Sequence, residues 1–161
     1  MAPVVRRIVT GQTPDGRSVF THVEEIEPLL PGGDALRHVV WDWAQTPTVP
    51  VRAPEPADTG NLPEAGGLRI ETWELPPNFP LEGGHPQAGI MHSTDTVDVI
   101  LVLDGEMILR QADDEREVRL RRGDVLVQNG AAHIWRNPSA EVPCLLTMVF
   151  FGATRTEAPA S

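Results

Sequence analysis

No lysine and no tyrosine occur anywhere in the 161 residues, and all 13 basic side chains are arginine. Schiff-base catalysis, a pyridoxal phosphate anchor, a phosphate-loop lysine and a tyrosine general acid are therefore excluded. Cysteine is almost absent as well. Cys144 alone makes neither an intrachain disulfide nor a thiolate-cluster zinc or iron-sulfur site. Long apolar runs are missing too: residues 145–151 form the longest, Thr147 interrupts it, and it is far too short to span a bilayer. Residues 1–10 carry Arg6 and Arg7 without an apolar stretch and do not read as a signal peptide. Acids outnumber bases 23 to 13, a formal net charge of −10 that repels phosphate backbones and anionic lipid, so neither a nucleic-acid nor a membrane partner is expected. A cytoplasmic location is expected. The chemistry left to the chain lies in five histidines, the carboxylates, arginine, or a bound metal.

What is present is punctuation. Sixteen prolines and fourteen glycines separate short runs rich in Val, Ile, Leu and Trp, the pattern of an all-β domain. Strands are predicted over residues 4–9, 17–21, 38–43, 68–75, 96–103, 106–111, 116–120, 124–128, 133–137 and 144–151. The proline-rich segment 46–67 reads as a surface loop, because so many missing amide donors would spoil a central strand. A second loop, 76–89, is rich in Gly and Pro. Residues 23–30 carry the one suggestion of a helical period, cut short by Pro28 and Pro31.

Two stretches concentrate chemistry. On a strand, side chains two apart share a face, so His92, Thr94, Thr96 and Asp98 are expected on one side, and His133, Trp135 and Asn137 likewise. An imidazole and a carboxylate would then point together into a small barrel. Asp95 has the opposite parity. Its functional reading is a proton-transfer or orienting carboxylate beside the site, and its structural reading is a turn or surface acid.

These two stretches resemble the motifs of the cupin superfamily. The first runs His, one residue, His, a short spacer, Glu, six residues, Gly; here His92, Thr94, Asp98 and Gly105 take those places with the spacing kept. The second runs from a Gly-Asp turn through an apolar strand to Pro, a residue, Gly, two residues, His, three residues, Asn. Gly123, Asp124, Gly130, His133 and Asn137 match it, with Gln128 in place of Pro and the segment a residue short. The resemblance covers roughly residues 68–152. The wording around both motifs, together with Arg6, Arg7 and Gly11, looks like a small single-domain group of actinobacterial and fungal cupins found beside aromatic polyketide genes.

The resemblance implies one jelly-roll barrel over 68–152, an extension of strands and loop over 1–67 in the same domain, a disordered tail over 153–161, and a homodimer. It further implies a divalent metal ion (Fe, Mn, Ni, Co or Zn). Because Thr94 stands for a histidine and Asp98 for a glutamate, the ligand set is reduced to His92, Asp98 and His133, a two-histidine, one-carboxylate face. His85, in the Gly-rich loop, is a catalytic histidine or a third imidazole; Asp95 is a second proton-transfer group. Thr94, Trp135 and Phe79 are expected to contact a small aromatic or polyketide-like substrate. Dehydration, cyclisation, isomerisation and dioxygenation all fit such a site, and a non-enzymatic binding barrel is the alternative. His22 and His38, Cys144 and Arg136 are read as structural: two arm histidines, a packed thiol and a surface cation.

Overall fold

A computed structural model describes residues 4–29, 35–57, 60, 62–80 and 89–156. Ten strands make up the regular structure: β1 (Val5–Gln12), β2 (Ser18–Ile26), β3 (Leu36–Trp43), β4 (Leu68–Leu75), β5 (Thr96–Asp104), β6 (Glu106–Gln111), β7 (Glu117–Arg121), β8 (Val125–Gln128), β9 (His133–Arg136) and β10 (Cys144–Gly152). Among the described residues there is no helix, and hence none long and apolar enough to cross a membrane. The helical suggestion over 23–30 is corrected. β2 runs through it to Ile26, because β-branched Val23 finds a cross-strand partner in Ile8 and Ile26 finds one in Val5.

The strands form a hairpin of β1 and β2, a five-stranded antiparallel sheet in the order β3-β4-β10-β5-β8, and a three-stranded antiparallel sheet in the order β7-β6-β9. The two larger sheets face each other as the halves of a jelly-roll barrel. Alternation decides what lies between them. Cys144, Leu146, Met148 and Phe150 of β10, Ile100 and Val102 of β5, Met107 and Leu109 of β6 and Trp135 of β9 make the buried core. The thiol of Cys144 packs as a small hydrophobe, and burial, with Asp104 and Glu106 nearby, pushes it up to about 12. β3, which precedes the 46–67 segment, is an integral edge strand of the large sheet.

Two positions explain residues shared with the cupin motifs. The β5–β6 turn needs φ of +71° at Gly105, and a Cβ there would lie 2.4 Å from the Pro143 carbonyl oxygen. Asn137 fixes the same β9–β10 connection from within. Its Nδ2 donates to the carbonyls of Leu75 (3.1 Å), Pro76 (3.1 Å) and Val142 (2.9 Å), while its Oδ1 accepts from the Ser139 N–H at 3.0 Å. One buried amide thus ties the end of β4 to the β9–β10 connection. Asn137→Ala should lower unfolding free energy by about 3 kcal/mol, since it strands several buried carbonyls at once. Urea denaturation measures it, and a loss below about 1 kcal/mol would show that the clamp is dispensable.

On β4 the inward set is Arg69, Glu71, Trp73 and Leu75, paired with Phe150, Met148, Leu146 and Cys144. The charges are accommodated by each other. Glu71 accepts from Arg37 Nη2 at 2.9 Å and Nε at 3.2 Å, from Arg69 Nε at 2.6 Å, and from the indole N–H of Trp73, and Arg69 in turn lies 3.7 Å from Asp42.

Candidate functional site

At one end of the barrel β5 and β9 bring the two motif stretches together. His92 and His133 form an isolated antiparallel bridge, N–H to carbonyl at 3.0 and 2.8 Å, which sets their rings tilted at 51° with centroids 4.6 Å apart. His92 is exposed at the rim, whereas His133 is buried. The two imidazoles are fixed in the same way: His92 Nδ1 lies 2.9 Å from the Ile90 carbonyl and His133 Nδ1 2.9 Å from the Ala131 carbonyl. A carbonyl only accepts, so each Nδ1 carries the proton and donates, and in the neutral ring Nε2 keeps its lone pair. Burial pushes the His133 imidazolium below the usual histidine range, with His92 adding repulsion and the Ala131 carbonyl opposing it.

Asp98 faces inward on β5, between Gln128 of β8 and Phe150 of β10. Its Oδ1 is buried and finds no partner. Burial raises its carboxyl above the ordinary range, against a hydrogen bond from Thr96 and the attraction of His92. Thr96 meets the Thr94 hydroxyl at 2.8 Å, so two hydroxyls lead from the half-buried Thr94 to the acid. Gln111, opposite His133 on β6, donates to Gln128 at 3.0 Å, and Gln128 donates to the Ala131 carbonyl at 2.8 Å. The Gln128 amide therefore stitches the two sheets together behind the site and holds the same carbonyl that orients His133. The proline expected by the motif could not donate this bond.

The remaining expected residues sort cleanly. Trp135 sits beside His133 with ring centroids 5.3 Å apart, and its indole N–H is buried without a partner. Phe79 packs in the core cluster, and its carbonyl accepts from the Asn137 N–H. Asp95, of opposite strand parity to Asp98, has a side chain 62% exposed that pairs with Arg155. Arg136 pairs with Glu117 at the surface. His38 is buried on β3, and His22 lies edge-on to Trp41. His85 lies outside the described residues.

A divalent ion would meet two well-oriented imidazole donors here. Among the described residues, however, no group of three His, Cys, Asp or Glu side chains stands close enough to hold a metal ion. His92, Asp98 and His133 thus share one end of the barrel without forming the three-ligand set expected of them. Aspartate is one methylene shorter than glutamate, and Thr96 engages its carboxylate.

Sequence patterning passed over Arg37, Glu71 and Gln111. The signal for the first two was the placement of Arg69 and Glu71 in phase with Trp73 and Leu75 on β4, which forces charge inward and demands a counter-charge from β3.

The shifted groups give opposite pH signs. The folded His133 resists a proton that the unfolded chain accepts near 6.5, so its contribution to stability is present above that value and is lost as pH falls. Asp98, raised in the fold, contributes below the ordinary aspartate value of 3.8 and loses that contribution as pH rises through its folded value. The melting temperature should therefore fall between pH 7 and pH 5.5 in the wild type, and the fall should be smaller in His133→Gln. Identical profiles would remove His133 from the account.

Comparison with known proteins places these features. The cupin domain family profile matches residues 79–150. A phomopsin biosynthesis cluster protein C' of Diaporthe leptostromiformis is 32% identical over 148 residues, spanning 83% of this chain and 70% of that one. A cupin-domain-containing oxidoreductase of Neurospora crassa is 25% identical over 142 residues, spanning 85% of this chain and 68% of its own length. Among solved structures, the polyketide cyclase RemF of Streptomyces resistomycificus superposes with a TM-score of 0.50 at 16% identity, over 78% of this chain and 72% of that one. At that identity the likeness concerns the fold.

Proposed function

The chain belongs to the cupin family, and from that premise we propose that its barrel is an enzyme site for a small aromatic or polyketide-like metabolite, acting by proton transfer next to a carbonyl. The observation that carries the proposal is the buried His133: an imidazole held as its Nδ1–H tautomer by a backbone carbonyl, kept from protonation by burial, and set beside an unpartnered indole N–H and an unpartnered carboxyl oxygen. His133 Nε2 takes a proton from carbon α to the substrate carbonyl, and the Trp135 N–H is the donor for the oxygen on which charge develops. His92, at the rim, covers one face of His133. Isomerisation, cyclisation and dehydration all begin with such an enolisation, and the relatives' place in biosynthesis clusters supports a metabolite substrate. No step passes through a metal, since the described donors do not complete a site for one.

The test uses 2-tetralone, a benzo-fused ketone with an enolisable benzylic α-carbon, in D₂O, with α-deuteration followed by NMR. Exchange well above buffer is expected. Exchange at the buffer rate, together with 2-tetralone binding in the barrel, would leave the non-enzymatic binding reading in its place.

The proposal includes a second copy of the chain as partner. The β1–β2 hairpin leaves Ile8, Phe20 and Val23 exposed, and the outer face of the large sheet leaves Leu103, Val125, Val127 and Phe151 exposed. Two uncovered apolar surfaces on a chain of net charge −10 suit burial against each other in a symmetric dimer. Light scattering should give twice the 17.6 kDa chain mass. Phe20→Glu should shift it to the monomer, and a monomeric wild type would contradict the pairing.

A further inference from the structure

We infer that Arg37 is the anchor for a carboxylate on a planar aromatic ligand, so that the barrel prefers aromatic acids to their neutral analogues. The inference rests on the reading of the barrel as an aromatic-metabolite site and specifies the class of ligand.

Four aromatic rings run in sequence from the rim to Arg37. Centroid separations are 4.6 Å from His92 to His133, 5.3 Å from His133 to Trp135 and 6.2 Å from Trp135 to Trp73. The Arg37 guanidinium then lies 4.6 Å over the Trp73 ring. The rings meet at 51°, 32° and 70°, so the row offers alternating faces and edges, with a cation at its far end, to an aromatic molecule carrying negative charge at one end. Arg37 belongs to the interior by parity: Ala35, two residues earlier on the same face, packs against the core cluster, as does its cross-strand partner Trp73.

The hydrogen bonds leave a particular edge free. Arg37 commits Nε and Nη2 to Glu71, and Nη1 makes no hydrogen bond among the described residues. Glu71 is fully engaged by Arg37, Arg69 and Trp73, so it holds the guanidinium in place without reaching its other edge. The Arg37 side chain keeps 17% exposure while Glu71 keeps none. Midway along the wall, the buried Trp135 N–H has no partner, an independent sign that an acceptor atom is missing from the row. A carboxylate on Nη1 would gain a charge-assisted bond.

The overall field runs the other way, since a chain of net charge −10 repels anions. A preference for an acid must therefore come from a local cation.

Calorimetric titration with 2-naphthoate and with 2-naphthamide tests this. In the wild type the naphthoate should bind at least about tenfold more tightly. Arg37→Met should erase that preference while leaving naphthamide affinity within about twofold, and Arg37→Gln, which keeps a neutral donor for Glu71 while Arg69 still balances its charge, should do the same if the methionine variant folds poorly. Equal affinities in the wild type, or a preference that survives in a folded variant, would overturn the inference while the aromatic site stands. Failure of both probes to bind the wild type would overturn the inference and the aromatic-site reading together.

Discussion

Glu71→Ala is expected to cost about 4 kcal/mol of folding free energy, the largest effect of any truncation on β4. The carboxylate is fully buried and accepts from two guanidiniums and an indole. Removing it leaves Arg69, itself nearly inaccessible, and most of Arg37 as unpaired cations inside the barrel, with only Asp42 at 3.7 Å from Arg69 as counter-charge. The penalty is the desolvation of those cations, not the intrinsic strength of the ion pairs. For a chain of this length such a loss lowers the melting temperature by about 10 °C. Replacing the cluster wholesale with apolar side chains of matched volume should cost far less, because no orphan charge remains. A single Glu71→Ala variant within about 1 kcal/mol of wild type would mean that water reaches the cluster and that the barrel wall is more open than described.

The second large effect concerns chemistry. His133→Ala should reduce α-deuteration of 2-tetralone by about 10²- to 10⁴-fold, the usual contribution of a positioned general base. His92→Ala should do less, because the rim ring covers His133 without being buried beside the reacting carbon. The discriminating readout is the pH dependence. Wild-type activity should be retained down to pH values at which an ordinary histidine is already protonated, since burial holds the His133 pKa low. His133→Ala should lose both the rate and that acid limb. If the variant exchanges like the wild type, His133 is a structural stacking partner of Trp135 and His92 and nothing more.

Most of the fold was legible because each strand is short, strongly apolar on one parity and bounded by turn residues. The stretch around β5 and β6 shows why: apolar alternation stops at Asp104, Gly105 supplies the positive φ, and an apolar run begins again at Met107. The hairpin was less legible. Residues 23–26 carry Val and Ile at a spacing that a helix also satisfies, and only pairing with Val5 and Ile8 decides between them. Within the site, parity placed His133, Trp135, Thr94, Thr96 and Asp98 on the inner face. It could not show that Thr96 would engage the Asp98 carboxylate, or that the shorter acid would stay out of a three-donor group, because both depend on side-chain reach. The interior of β4 was hidden for a different reason. Its two parities, Leu68, Ile70, Thr72 and Glu74 against Arg69, Glu71, Trp73 and Leu75, are too alike in polarity to choose a face until Arg37 and Asp42, distant in sequence, neutralise Glu71 and Arg69.

Proton abstraction in this barrel requires His133 to be a neutral Nδ1–H imidazole with a lone pair on Nε2. Long-range ¹H–¹⁵N correlation spectra of the histidine rings read this out at pH 7. The His133 ring should show a protonated, pyrrole-type Nδ1 and an unprotonated, pyridine-type Nε2. A cationic ring, or a proton on Nε2, would rule out His133 as the base.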